Sequence, residues 1–162
     1  MLVRYLSDIH LEFGWHELMS LEEDKDTVLV LAGDVGTVAG RHGGGMEVLG
    51  RFLVDASVRF RAVVYVLGNH EFYNDCFDSA RIDLYNKIIE LGLTNVFLLE
   101  DTSVVFDDVA FVGATLWTDY DNGNPVKMVL GGGAALPLVH TLSLGAYLPA
   151  ATGCGAGWAT IC

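Results

Sequence analysis

Thr27-Val28-Leu29-Val30-Leu31-Ala32-Gly33-Asp34 is an apolar, largely β-branched run, too short for a helix and stopped by Gly-Asp. Such a run reads as a strand buried on both faces. Two others end in the same way. Residues 2–6 run into Ser7-Asp8-Ile9-His10, and residues 62–67 run into Gly68-Asn69-His70-Glu71. Between the second and third runs, Leu49, Phe52, Leu53, Ala56 and Phe60 mark one face of a helix over 46–60. Strand, helix, strand is a crossover, and it predicts neighbouring parallel strands. A second helix is predicted from Asp78 as N-cap to Leu91, with Ile82, Tyr85, Ile88 and Ile89 inward and Gly92 at C′. Strands over 95–99, 103–106 and 109–114 follow, the last two joined by a tight turn at Asp107-Asp108. The fold class expected is α/β: a mixed β-sheet flanked by helices.

The chain has 162 residues, 52% of them hydrophobic, which suits one domain with a sizeable core. Its cysteines, Cys76, Cys154 and Cys162, are an odd and scattered set, and a reducing cytoplasm is the expected setting. No signal peptide is read at the amino terminus. A net charge of −12 argues against a broad nucleic-acid surface. It does not exclude a phosphate substrate, because bound cations invert the local field.

The residues that stop the three runs are of the types that bind divalent metals through oxygen or imidazole nitrogen. In a parallel sheet the loops after the strands converge on one crevice. Asp8 and His10 lie two apart, so in extended backbone they share a face and can chelate one ion. Asp34 has two oxygens with which to bridge ions, and Asn69 offers a neutral carbonyl oxygen. Gly33 and Gly68 let backbone pass where a side chain would intrude.

D-x-H, then G-D, then G-N-H-E, in this order, resembles the calcineurin-like metallophosphoesterases. The stretch from Gly113 to Tyr120, GATLWTDY, is similar to a segment of one bacterial and phage branch. The resemblance covers residues 1–125. It implies a metallophosphoesterase-like sandwich and hydrolysis of phosphate esters by a hydroxide activated between two divalent ions (Mn, Fe, Zn or Ni). It implies Asp8 and His10 on the first metal, Asp34 bridging and Asn69 on the second. His70 would hydrogen-bond to a carboxylate, Asp34 in the family's arrangement, and protonate the leaving oxygen as general acid. Glu71 reads as a helper or structural hydrogen-bonder and not a ligand.

The family completes its site with a later histidine and a G-H-x-H pair. No G-H-x-H occurs here, and His140 is the candidate additional ligand. From Asn122 onward, Lys127 is the only Lys, Arg, Asp or Glu, so residues 126–162 read as a divergent, Gly/Ala-rich tail. The competing expectation is therefore an inactive truncated or frameshifted fragment that binds metal weakly. Interrupting glycines, Pro137, Pro149 and missing basic anchors weigh against a membrane span in this tail. His16 and His42 are expected to be exposed, the 40–45 region to be a flexible connection and Cys76 to be structural. Trp117 and Tyr120 suit a substrate crevice, core packing or a lid equally. An uncharged tail in place of further strands leaves an apolar sheet edge exposed. Self-association through that edge is the expected outcome in size-exclusion chromatography; a monomer across the concentration range contradicts it.

Overall fold

The computed structural model describes residues 1–40, 45–115, 120–123, 126, 144–148 and 157–161. Four parallel strands, β1 (Leu2–Leu6), β2 (Thr27–Ala32), β3 (Ala62–Val66) and β4 (Val96–Leu99), lie side by side in that order. Helix α1 (Gly45–Arg59) makes the crossover from β2 to β3, and α2 (Phe77–Glu90) the one from β3 to β4. Strands β5 (Thr102–Phe106) and β6 (Val109–Gly113) form the expected hairpin, with Asp107 in the turn at φ 52°. The parallel and antiparallel strands are divided between two four-stranded sheets. Beyond residue 125, where a tail was expected in place of further strands, two strands instead extend the second sheet: β7 (Leu144–Leu148) pairs antiparallel with β6, and β8 (Gly157–Ile161) with β7.

Every residue of β2 is buried, and the pleat sorts them. Leu29 and Leu31 join Leu49, Phe52, Leu53 and Ala56 of α1 in one core. Val28, Val30 and Ala32 join Val64, Val66 and Phe111 in a second core between the sheets. Full burial of each aliphatic side chain contributes about 1.5–3 kcal/mol. Gly113 lets the layers approach closely, since a Cβ there would stand 2.6 Å from Val66 Cγ2.

Helix α2 departs from expectation at its start and on its inner face. Its N-cap is Cys76, at φ −89° and ψ 147°, so the helix begins before Asp78. Asp78 lies in the first turn, where a negative charge complements the helix dipole. The buried face is Ala80, Leu84 and Ile88, whereas Ile82, Tyr85 and Ile89 are exposed. Side-chain size misled the reading: a small alanine faces the core, and larger residues cover the outside. Gly92, at φ 67°, ends the helix as expected, with its N–H on Ile89 O and the Leu93 N–H on Ile88 O. His16 and Cys76 are exposed, and His42 lies outside the described residues. No helix among the described residues is long and apolar enough to cross a membrane.

The loop after β1 is fastened by one buried carboxylate. Asp24 takes hydrogen bonds from Arg59 at 2.9 Å, Arg4 at 3.4 Å and the Leu21 N–H at 3.1 Å. Burial alone would raise the Asp24 pKa, but these donors and the two guanidinium charges outweigh it and hold the group below its ordinary value. As pH falls, the unfolded chain therefore takes up this proton first, and stability is lost. Asp24→Asn is expected to cost about 2–3 kcal/mol at pH 7, below the 3–5 of a fully buried pair because both arginines are partly exposed. The gap from wild type should narrow as pH drops from about 5 to 3, around the unfolded carboxylate value. Urea unfolding across that range checks it, and a constant gap would refute the assignment.

Candidate metal centre

The ends of β1, β2 and β3 are adjacent, so the segments that follow them run together. Asp8 N–H donates to Gly33 O at 3.1 Å, His10 N–H to Asp34 O at 3.0 Å, and Leu11 N–H to Val35 O at 2.9 Å. Asp8 and His10 are not extended as expected. Their φ angles are 54° and 51°, and that of Asp34 is 50°. Left-handed backbone at a non-glycine residue costs about 1–3 kcal/mol and persists where surroundings over-determine it. Here the inter-loop hydrogen bonds hold it, and the kinks still bring Asp8 Oδ1 within 3.9 Å of His10 Nε2.

His10, Asp34 and His70 each offer a ligand atom, and these atoms all lie within 4.8 Å of one another. Asp34 is buried, and the two imidazoles meet edge to face with centroids 4.3 Å apart. Asp8 stands at the rim with its side chain 57% exposed. Asn69 is buried, and its amide nitrogen donates to the Tyr73 hydroxyl at 2.8 Å. That bond commits the nitrogen and makes the carbonyl oxygen the atom of this amide suited to a cation. His140, Trp117 and the Tyr120 side chain lie outside the described residues. Gly68 is required sterically, because a Cβ there would fall on the Asp34 carboxylate and within 2.5 Å of its backbone nitrogen.

The ring of His70 is oriented differently from expectation. Its Nδ1 lies 2.6 Å from Glu12 Oε1, while its backbone N–H donates to Asp34 Oδ1 at 2.9 Å. Glu12, not Asp34, is thus the carboxylate found against Nδ1. The same Oε1 lies 3.1 Å from His10 Nδ1. Burial pushes the Glu12 pKa up, but its own backbone and the two imidazoles more than offset this, leaving it lowered. Tyr73 stacks on His70 with centroids 4.2 Å apart. Sequence reasoning passed over Glu12 and Tyr73, although Glu12 follows His10 by two residues and Tyr73 follows Asn69 by four.

Glu71 is a hydrogen-bonder as expected, and a central one. Its Oε2 accepts from the backbone N–H groups of Asp34 at 3.1 Å and Gly68 at 2.7 Å. Its Oε1 accepts from Val35 at 2.7 Å, Gly36 at 3.4 Å and the Tyr65 hydroxyl at 2.7 Å. Complete burial pushes its pKa up to about 7, with Asp34 adding to the rise and the Tyr65 and Val35 donors opposing it. All five of these groups are donors, so the geometry is built for the ionised form. Glu71→Gln replaces one acceptor oxygen by an NH₂ and orphans two buried donors. At about 1–3 kcal/mol each, the expected loss is roughly 2–6 kcal/mol in urea unfolding. A loss under about 1 kcal/mol would show that the loops do not depend on this carboxylate.

The sequence model of the calcineurin-like phosphoesterase family matches residues 1–133. An uncharacterized protein of Acanthamoeba polyphaga mimivirus is 28% identical over 131 residues, covering 73% of this chain and 45% of that protein. The chain thus spans under half the length of this curated relative. No solved structure matches significantly.

Proposed function

The chain belongs to the calcineurin-like phosphoesterase family, and on that premise we propose that it is a metal-dependent hydrolase of phosphate esters with a dinuclear site. The observation that carries the reading is the convergence of His10, Asp34 and His70 donor atoms within 4.8 Å of one another at the ends of parallel strands. The donor set fits hard-to-borderline divalent cations such as Mn²⁺, Fe²⁺, Zn²⁺ or Ni²⁺. Asp8 and His10 would hold one ion, Asp34 would be shared, and Asn69 would serve the second. When bound, such cations supply Lewis acidity and a water of lowered pKa.

The protein's own part is to place these donors and to move a proton. His70 stands beside His10, within reach of the same crevice, and its Nδ1 is occupied by Glu12. That leaves Nε2 as the ring atom suited to serving a leaving oxygen. Its proximity to His10 and Asp34 also suits a ligand, and leaving-group dependence separates the two roles. An acid matters most for a poor leaving group, because p-nitrophenolate departs without a proton.

The test is Mn²⁺-dependent hydrolysis of p-nitrophenyl phosphate and phenyl phosphate by the purified full chain. Asp34→Asn is expected to abolish turnover of both. His70→Ala should lower kcat for phenyl phosphate by about 10²–10⁴-fold and affect p-nitrophenyl phosphate far less. Equal losses on both esters, with weaker Mn²⁺ binding, would make His70 a ligand instead. Absence of turnover above a metal-free blank would defeat the enzymatic reading, and Mn²⁺ binding without turnover would make this a non-catalytic metal-binding chain.

A further inference from the structure

We propose that Glu12 is a shared positioning residue that sets the ring tautomer of both His10 and His70. This rests on the assignment of those two histidines to the metal centre. Glu12 Oε1 lies 3.1 Å from His10 Nδ1 and 2.6 Å from His70 Nδ1, on segments that are 58 residues apart in sequence for the second pair. Its side chain is 9% exposed, and its Oε2 is buried with no hydrogen-bond partner among the described residues. Both imidazole contacts therefore fall on one oxygen, which has the two lone pairs needed to accept them.

An ionised carboxylate can only accept. Each Nδ1 facing it must therefore carry its proton, since a bare nitrogen would set one lone pair against another. Nδ1–H fixes each Nε2 as the remaining functional nitrogen: a lone pair on His10 suited to a metal, and on His70 the atom that gains and gives a proton. Carboxylate partners of this kind orient metal-ligating histidines and raise their basicity. What distinguishes this site is that one carboxylate serves both rings, so the tautomer of the ligand and that of the acid share one support. The two rings meet edge to face at 73°, each with its Nδ1 toward that oxygen. Tyr73, stacked on His70, and Asp34, bound to the His70 backbone N–H, hold the second ring while Glu12 sets its proton.

Long-range ¹H–¹⁵N correlation spectra of the metal-free full chain, recorded at a pH where both rings are neutral, read the tautomer directly. Wild type is expected to show His10 and His70 as Nδ1–H. Glu12→Ala should move both toward Nε2–H and weaken Mn²⁺ binding about 10–100-fold by calorimetry. Glu12→Gln, which keeps an acceptor oxygen, should restore Nδ1–H. Nε2–H rings in wild type, or rings unchanged by Glu12→Ala in a folded protein, would overturn the proposal. Should Glu12→Ala fail to fold, the wild-type spectrum still decides. The spectra need no turnover, so failure of the phosphoesterase reading and failure of this one are told apart.

Discussion

A carboxylate with no exposure to solvent holds the two central loops of this protein together. Parallel strands end with backbone N–H groups that their own ladder no longer satisfies, and at the ends of β2 and β3 those groups point inward. Glu71 gathers four of them, with the Tyr65 hydroxyl. A buried charge is costly unless it is hydrogen-bonded, and here the donors that need an acceptor are also the ones that make the charge tolerable. The same bonds fix Asp34, because its N–H is one of the five donors. The backbone of the central metal-type carboxylate is thus set from behind, and its Oδ1 accepts in addition from the His70 N–H.

From that fixed point the geometry propagates sideways. The segment after β1 copies the course of the segment after β2 through three backbone hydrogen bonds, from Asp8, His10 and Leu11. Left-handed φ at Asp8, His10 and Asp34 is the local expense of running these loops side by side just beyond the sheet. Straight continuation of β1 would also have placed Asp8 and His10 on one face, but along the strand direction. The kinks direct them toward the neighbouring loop, and Gly68 keeps the space open by having no Cβ.

Much of this was legible because it follows from run length and stop signals. β2 and β3 are short, apolar and closed by Gly, so their strand character and parallel pairing could be read from residues 27–34 and 62–71. Helix α1 has a full apolar stripe and was read residue by residue. The inner face of α2 was not, because Ala80 carries little hydrophobic signal and Ile82, Tyr85 and Ile89 carry much. Of the site, Asp8, His10, Asp34, Asn69, His70 and Glu71 stood out by type and order. Glu12 did not, because its importance arises from a contact with His70 across 58 positions, which no local spacing encodes. The left-handed turns were equally hidden, since they depend on pairing between loops and not on glycine at those positions.

The charge distribution explains why such a site calls for cations. Asp34, Glu12 and Glu71 are all buried or nearly so, and Asp8 stands at the rim beside them. Backbone dipoles compensate Glu71, and two imidazoles face Glu12. In a chain of net charge −12 an anionic ester approaching this crevice meets a repulsive field. Under the proposed function, divalent ions held by Asp8, His10, Asp34 and Asn69 would reverse that field where the ester would bind. On the proposed function, metal binding and substrate access would be one electrostatic requirement, with the carboxylates that repel phosphate in the absence of metal also drawing the ions in.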